Sequence, residues 1–528
     1  MAGTPVWSVD PRTGKQREQV AVEATPREVD RAVRAADAAR GALADRAARI
    51  GFLRAAADLL DASAAQVVEA ADAETALGPG RLTGELARTT YQLRAVADAV
   101  EDGAYLDVRI DRPDPSLAPP RPDLRRYKVP LGVVAVYAAS NFPLAFSVPG
   151  GDTASALGAG CPVVVKVHPD HPATSELCAS LLRRAAEDSG LPADVVSVVH
   201  GFDAGLELIR HPLVAAAGFT GSVRGGRALF DAAAARPVPI PFHGELGSLN
   251  PVVVTPAAAA ERAEEIGAGL AGSVTLGVGQ FCVKPGLVLV PEGADGDRLT
   301  GALTKALGET EPGVLLDHRM RDGFVAGVGE RAALPGVVAP VTPGAGGDHT
   351  VGAGYLTLAA RGLLADPRAY GTLLEECFGP VTVVVRYADQ GEASAVLALL
   401  PGNLTATLQL SAAECAGDTA TATPTPAPTS TPTPAPAPAE QLIGQVTRLA
   451  GRVVVNAWPT GVAVAPAQHH GGPYPAATSH STSVGGTAIE RWLRPVAYQS
   501  VPDPLLPPEL REANPLGLPR LVTGAPTA

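Results

Sequence analysis

Apolar positions repeat with one period in the first fifth of the chain and with another thereafter. From about residue 25 to 105 the spacing is helical. "TPREVDRAVRAADAAR" offers Thr25 as N-cap, Pro26 at the first helical position and Glu28 to close a capping box. Ala-rich amphipathic stretches follow, and Gly78–Gly80 ("GPG") break the run. From about 131, short β-branched runs alternate with helical segments. "GVVAVY" (132–137), "CPVVVKV" (161–167), "VVSVVHG" (195–201), "AAAGFTG" (215–221) and "PVPIPFHG" (237–244) are predicted strands, with "TSELCASLLRRAAEDSG" and "GLELIRHP" as helices between them. Strands apolar at nearly every position belong in a parallel sheet covered on both faces, joined by right-handed crossovers. A second α/β texture runs from about 262 to 410, with strands in "GLVLVPEG", "GPVTVVVRYA" and "TATLQLS". Residues 421–440 then carry seven Pro in twenty and no apolar period, which predicts an extended or disordered insert. Because "EQLIGQVTRLAGRVVVNAWPTG" resumes as helix and strand, the insert interrupts a domain. The predicted class is α/β.

Composition narrows the picture. The 528 residues are 46% hydrophobic but only 4% aromatic, so Ala, Val and Leu must build the core. With 42 basic against 54 acidic residues, the net charge is −12, and no basic cluster stands out; nucleic acid is not an expected partner. No leader-like N-terminus and no apolar stretch of about 18 residues is found, so neither a signal peptide nor a membrane span is expected. Cys161, Cys178, Cys282, Cys377 and Cys415 are widely spaced, which argues against a disulfide framework and for a reducing, cytoplasmic setting.

Six polar residues stand in apolar or Gly/Pro surroundings. Cys282 lies in "GVGQFCVKPG", with no His or second Cys nearby. Asn141 follows a strand in "AASNFPLAFS", and Lys166 ends one in "VVVKVHP". Gly221 and Ser222 sit at a strand-to-helix junction in "FTGSVRGG", where a helix N-terminus can meet a phosphate. Glu245 lies in "FHGELGSLNP" and Glu376 in "EECFGP". Taken singly, each has an ordinary structural explanation: a turn amide, a solvated lysine, a turn carboxylate, a buried thiol. His469 and His470 form a pair without an apparent third ligand, so no metal site is expected.

In this order the motifs resemble the aldehyde dehydrogenase family. "NAWPTGV", "HHGGPYPAATS" and "AIERWLRPVAYQ" are similar to its 2-oxoglutarate semialdehyde (2,5-dioxopentanoate) branch, which neighbours NADP-linked fatty aldehyde dehydrogenases. The likeness covers nearly the whole chain except 421–440. It implies that Cys282 attacks the aldehyde, that Asn141 and the Cys282 N–H receive the oxyanion, and that Glu245 activates the water that hydrolyses the thioester. A carboxylate at 245, retained here, favours release of a free acid over transfer to coenzyme A. Burial beside glycines is expected to raise Glu245 into the range of a base, and Gly279 and Gly286 to let backbone approach substrate. No local base explains how Cys282 becomes a thiolate.

By the same resemblance the cofactor is NADP or NAD, bound by a modified Rossmann domain. Lys166 reaches the adenosine ribose, Gly221 and Ser222 lie near the pyrophosphate, and Glu376 holds the nicotinamide ribose. Pro169 stands where many NAD-using relatives place a carboxylate, which favours NADP, with His168 and Arg210 as candidate partners of its 2′-phosphate. Phe142 and Trp458 are candidate walls of the aldehyde tunnel, with core packing as the alternative for each. A substrate carboxylate calls for an Arg that the sequence does not locate. The expected domains are a cofactor domain (1–105 and 131–258), a catalytic domain (259–420 and 441–480, interrupted by 421–440), and a small β oligomerisation element with a C-terminal tail (106–130 and 481–528). A homodimer or homotetramer is expected. The expected substrate is 2,5-dioxopentanoate; a medium- or long-chain fatty aldehyde with NADP is the alternative, and a catalytically silent scaffold the second.

Overall fold

The computed structural model describes residues 3–417 and 438–527. The insert 421–440 lies outside these residues, except that its last three positions already belong to the helix Pro438–Leu449.

Five parallel strands form the first sheet, in the order Val196–Val199, Val163–Lys166, Val133–Tyr137, Val214–Thr220, Phe242–Glu245. The central strand is buried at every position, as its unbroken apolar run requires. The last strand starts later than predicted. Pro237, Pro239 and Pro241 offer no N–H to a ladder, so pairing begins only at Phe242. Helix Pro26–Ala39 has the expected capping box: Thr25 Oγ1 accepts from the Glu28 N–H, and Glu28 Oε2 accepts from the Thr25 N–H at 2.8 Å. Its buried Val29, Val33 and Ala36 pack on this sheet with Val133, Ala135 and Val164.

The second sheet has seven strands, in the order Val338–Val341, Gly354–Ala359, Val381–Tyr387, Leu287–Pro291, Val252–Val254, Asn403–Gln409, Ala450–Val455. All neighbours are parallel except the first pair. Helix Pro256–Thr275, N-capped by Thr255, covers one face.

A third sheet of five strands gathers distant segments, in the order Leu493–Gln499, Leu124–Pro130, Val108–Asp111, Arg520–Val522, Ala525–Thr527. An N-terminal hairpin, Pro5–Asp10 with Lys15–Val22, was not apparent in the sequence. The first two sheets face each other by opposite ends. The carboxyl edge of the first sheet carries Lys166, Glu245 and the turns holding Asn141 and Ser222. Across from it, the amino ends of the strands Leu287–Pro291 and Val381–Tyr387 carry the turns with Cys282 and Glu376. A cleft at a carboxyl edge is where open α/β sheets bind ligands.

Candidate active site

Three residues from separate segments converge in this cleft. His470 Nε2 lies 2.9 Å from Glu245 Oε1 and 3.7 Å from Cys282 Sγ. Glu245 ends its strand, where the loop after His470 is laced to it. Leu246 N–H donates to Ala476 O at 2.8 Å, and Thr478 N–H to Gly244 O at 2.9 Å. The same loop returns Ser483, whose hydroxyl donates to Glu245 Oε2 at 2.9 Å. Although close to Nε2, Oε1 lies off the line of a hydrogen bond and receives no aligned donor. A single ring nitrogen therefore faces both the carboxylate and the thiol.

Burial would push the Glu245 carboxyl up, but the charge of nearby His470, the Ser483 hydroxyl and Arg491 outweigh it and hold the group below the usual carboxylate range. The expectation that burial raises Glu245 is thus reversed, because its charged and hydrogen-bonding neighbours outweigh burial. The Cys282 thiol is pushed well above its ordinary value, first by burial, then by the charge and bonding of Glu245 and the charge of Glu376, against a small opposing pull from Arg452. It rests as a thiol.

The Cys282 turn is held from below by an amide network. Asn250, at φ 52°, donates through Nδ2 to Cys282 O at 2.8 Å and to Lys284 O at 3.0 Å. Asn141 Nδ2 donates to Gln280 O at 3.1 Å. An amide has two N–H groups, so the other stays available to an oxyanion. Gly279, at φ 69°, has a reason other than the expected one: a Cβ there would lie 2.3 Å from the Gly379 carbonyl. A Cβ on Gly286 would lie 2.7 Å from Leu249 O. Both glycines pack backbone against backbone rather than opening a path to substrate.

Phe142 lines a cavity of about 180 Å³ beside Cys282, packed edge-on against Phe146 and Phe281 at 5.3 Å each. Trp458 does not line it. Its indole lies over Gly269 of helix Pro256–Thr275, so the packing alternative holds there.

The cofactor candidates separate into two groups. Lys166 is buried at the strand end, its Nζ 4.7 Å from the centre of the Phe202 ring, with no carboxylate within 4 Å among the described residues. Burial lowers it to about 8, although Asp170 and Glu23 pull it up. His168 stands beside it, its imidazole kept neutral by burial and by His171, Lys166 and Arg319. Asp170, one residue beyond Pro169, is buried 3.3 Å from His168 Nδ1 and 3.5 Å from Arg319 Nη2. Burial and then Asp317 push it up to about 8, so at neutral pH it is mostly uncharged. Ser222 is the N-cap of helix Val223–Ala234, accepting from the Gly225 N–H at 3.2 Å, and the Gly221 N–H is tied to Glu245 O at 3.1 Å. Glu376 lies over Gly247, where a Cβ would come within 2.5 Å of its carboxylate; burial raises it to about 7. Arg210 is not with them. It ends helix Phe202–Arg210, whose first residue touches Lys166, so it stands about 12 Å away along the axis and lines a separate hollow with Thr25 and Glu207. A buried, unpaired ammonium and an open helix N-terminus at one sheet edge fit an anionic dinucleotide.

His470 escaped the sequence reading as an active residue. Glu245, Cys282 and His470 bring one ligand-capable atom each within 4.8 Å of one another, and His469 is not among them. For His470 the only signal was a His pair before Gly471 and Gly472, in the kind of setting that marked Cys282.

A cysteine facing a carboxylate across a cleft at the carboxyl edge of a dinucleotide-type sheet is suited to covalent catalysis beside a nucleotide cofactor. The chain belongs to the aldehyde dehydrogenase family, whose profile it matches over residues 2–408, and it is an NAD(P)-dependent enzyme of that family. Within it, the chain is 46% identical over 483 residues to alpha-ketoglutaric semialdehyde dehydrogenase 2 of Azospirillum brasilense, covering 90% of this chain and 87% of that one. It is 39% identical over 487 residues to alpha-ketoglutaric semialdehyde dehydrogenase of Acinetobacter baylyi, covering 89% and 87%. Among solved structures, succinic semialdehyde dehydrogenase from Streptococcus pyogenes, in complex with NADP+, has the same fold at TM-score 0.76 and 17% identity, covering 94% of this chain and all of that one.

Proposed function

We propose that this enzyme oxidises 2,5-dioxopentanoate to 2-oxoglutarate through a thioester on Cys282. The observation that carries the reading is the placement of Cys282 and Glu245 about one imidazole, in a chain 46% identical to a relative of that name.

Cys282 Sγ adds to the aldehyde carbon, and its proton passes to His470 Nε2, which sits within reach. The carbonyl π electrons move to oxygen, and the oxyanion is received by the free Asn141 N–H and the Cys282 N–H. Losing one such donor typically costs about 10²–10³ in rate. Lys166, His168, Ser222 and Glu376 would hold NAD(P), which would supply the hydride acceptor needed for the adduct to become a thioester. Glu245 then takes a proton from the attacking water, and the thiolate leaves as the acid forms. The departing Cys282 thiolate takes back the proton held on His470, and Glu245 releases the water's proton to solvent, which restores the resting site. Burial pushes the Glu245 carboxyl up while His470, Ser483 and Arg491 hold it down.

NADP is the preferred cofactor in this reading, because Asp170 is mostly neutral near Lys166 at pH 7 and does not oppose a 2′-phosphate. The chain works as a homodimer or homotetramer. Supporting this, the strand Ala450–Val455 is the outer strand of its sheet and exposes Val453 and Val455, while residues 106–130 and 481–528 contribute strands to a separate sheet. Among the described residues no helix is long and apolar enough to cross a membrane, and none of the five cysteines is bridged; both agree with a cytoplasmic enzyme. Reduced-cofactor formation with 2,5-dioxopentanoate, with decanal and with no aldehyde tests the reading. Turnover of the first supports it, turnover of decanal alone favours the fatty aldehyde alternative, and turnover of neither favours the scaffold.

A further inference from the structure

Helix Pro79–Asp102 places Arg81, Glu85 and Arg88 on one face, four and three residues apart. All three line the cavity that holds Cys282 and His470. Gly84 opens into it from the same helix, and a Cβ there would meet nothing within 4 Å.

Each arginine is anchored by one N–H and leaves others unused. Arg81 Nη2 donates to Asn141 O at 2.6 Å, and its guanidinium lies 5.1 Å from the Phe142 ring and 4.6 Å from the Phe281 ring. Its Nε and Nη1 are buried without a partner. Arg88 Nε donates to Val462 O at 3.2 Å, and its guanidinium lies 5.2 Å from the Phe146 ring. Its Nη2 is likewise buried and unpartnered. Glu85 is the strongest opposite charge acting on both arginines. One of its oxygens is committed to the Leu144 and Ala145 N–H groups at 2.8 and 3.0 Å, and among the described residues it forms no ion pair within 4 Å with either arginine. Two guanidinium groups against one carboxylate leave the cavity wall with a net positive charge. Buried donors left unmade are costly, and a guanidinium is shaped to hold a carboxylate by two parallel bonds.

We infer that Arg81 and Arg88 form the subsite for the 2-oxo-carboxylate end of the aldehyde substrate and set the preference for acidic over apolar aldehydes. The inference rests on the proposed substrate. The aldehyde carbon would meet Cys282 while the other end of the molecule satisfies the unused N–H groups. The methylenes between them pass Phe142, Phe146 and Phe281. An apolar aldehyde entering the same cavity would bury those donors with nothing to bond.

Arg88 is the residue to change, because Arg81 also holds the Asn141 carbonyl. In Arg88→Met, kcat/KM for 2,5-dioxopentanoate is expected to fall about 10–10²-fold, as for the loss of a hydrogen-bonded charge. Most of the fall should be in KM. Pentanal, with the same number of carbons and no carboxylate, should lose nothing or improve. Arg88→Lys, which keeps the charge but not the fork, should fall between. Calorimetric binding of 2-oxoglutarate should weaken in parallel in both variants. Equal losses for both aldehydes, or an unchanged KM for 2,5-dioxopentanoate, overturn the subsite. A wild-type enzyme that turns over pentanal but not 2,5-dioxopentanoate instead overturns the proposed substrate, so the two failures are distinguishable. If Arg88→Met does not fold, the Arg88→Lys comparison decides.

Discussion

Replacing His470 by Gln separates the two tasks assigned to it. The variant removes the only imidazole within 4 Å of both Cys282 Sγ and Glu245 Oε1 among the described residues. Gln preserves a polar group of similar reach but cannot take a proton. For the thiol, only the pull of Arg452 then opposes burial and the nearby carboxylates, which already hold it well above its ordinary value. Loss of a positioned base typically costs about 10²–10⁴ in rate, and the burst of reduced nicotinamide on rapid mixing should slow by that factor. For Glu245, the largest stabilising influence disappears while burial remains. An opposite charge at this distance is worth about 1–3 pH units, or about 1.4–4 kcal/mol. The carboxyl should therefore rise. The acid limb of the steady-state pH profile, which reports an ionised base, should move to higher pH by the same 1–3 units or so. Thermal melting should change little by comparison. A burst within about threefold of wild type, together with an unmoved acid limb, would refute the reasoning.

Two further predictions follow from the same geometry. Asn141→Ala should slow acylation about 10²–10³-fold with little change in cofactor affinity, measured by burst kinetics and by cofactor titration. NADP affinity should fall as pH rises through about 8. Lys166 loses its positive charge there and Asp170 gains a negative one, so both changes repel a 2′-phosphate. NAD affinity should change less, and titrations on either side of that pH compare the two.

The parts of the fold that could be read from sequence are those buried on two sides. Strands such as Val133–Tyr137 and Leu287–Pro291 are apolar throughout because neighbours cover both faces. The hairpin Pro5–Asp10 with Lys15–Val22 was not legible, because Lys15–Gln19 are exposed and carry no alternating pattern. Asn141, Lys166 and Glu245 could be found because a strand ends at or just before each. His470 could not, because 188 positions separate it from Cys282 and only the folded loop closes the gap. Arg81 and Arg88 carried no signal in the sequence, and only the packing of Phe142 and Phe146 against them marks them out. For Trp458 the sequence left tunnel wall and core packing both open, and its indole packs over Gly269.

The central claim is a covalent 2-oxoglutaryl thioester on Cys282 that Glu245 is needed to hydrolyse. It is tested most directly by mixing the Glu245→Gln enzyme with 2,5-dioxopentanoate and NADP, quenching in acid, and measuring peptide masses. The account predicts one equivalent of reduced cofactor, little further turnover, and a mass gain of one 2-oxoglutaryl group on the peptide containing Cys282. Undiminished turnover, an adduct on another cysteine, or a cofactor burst without any adduct on Cys282 would contradict it.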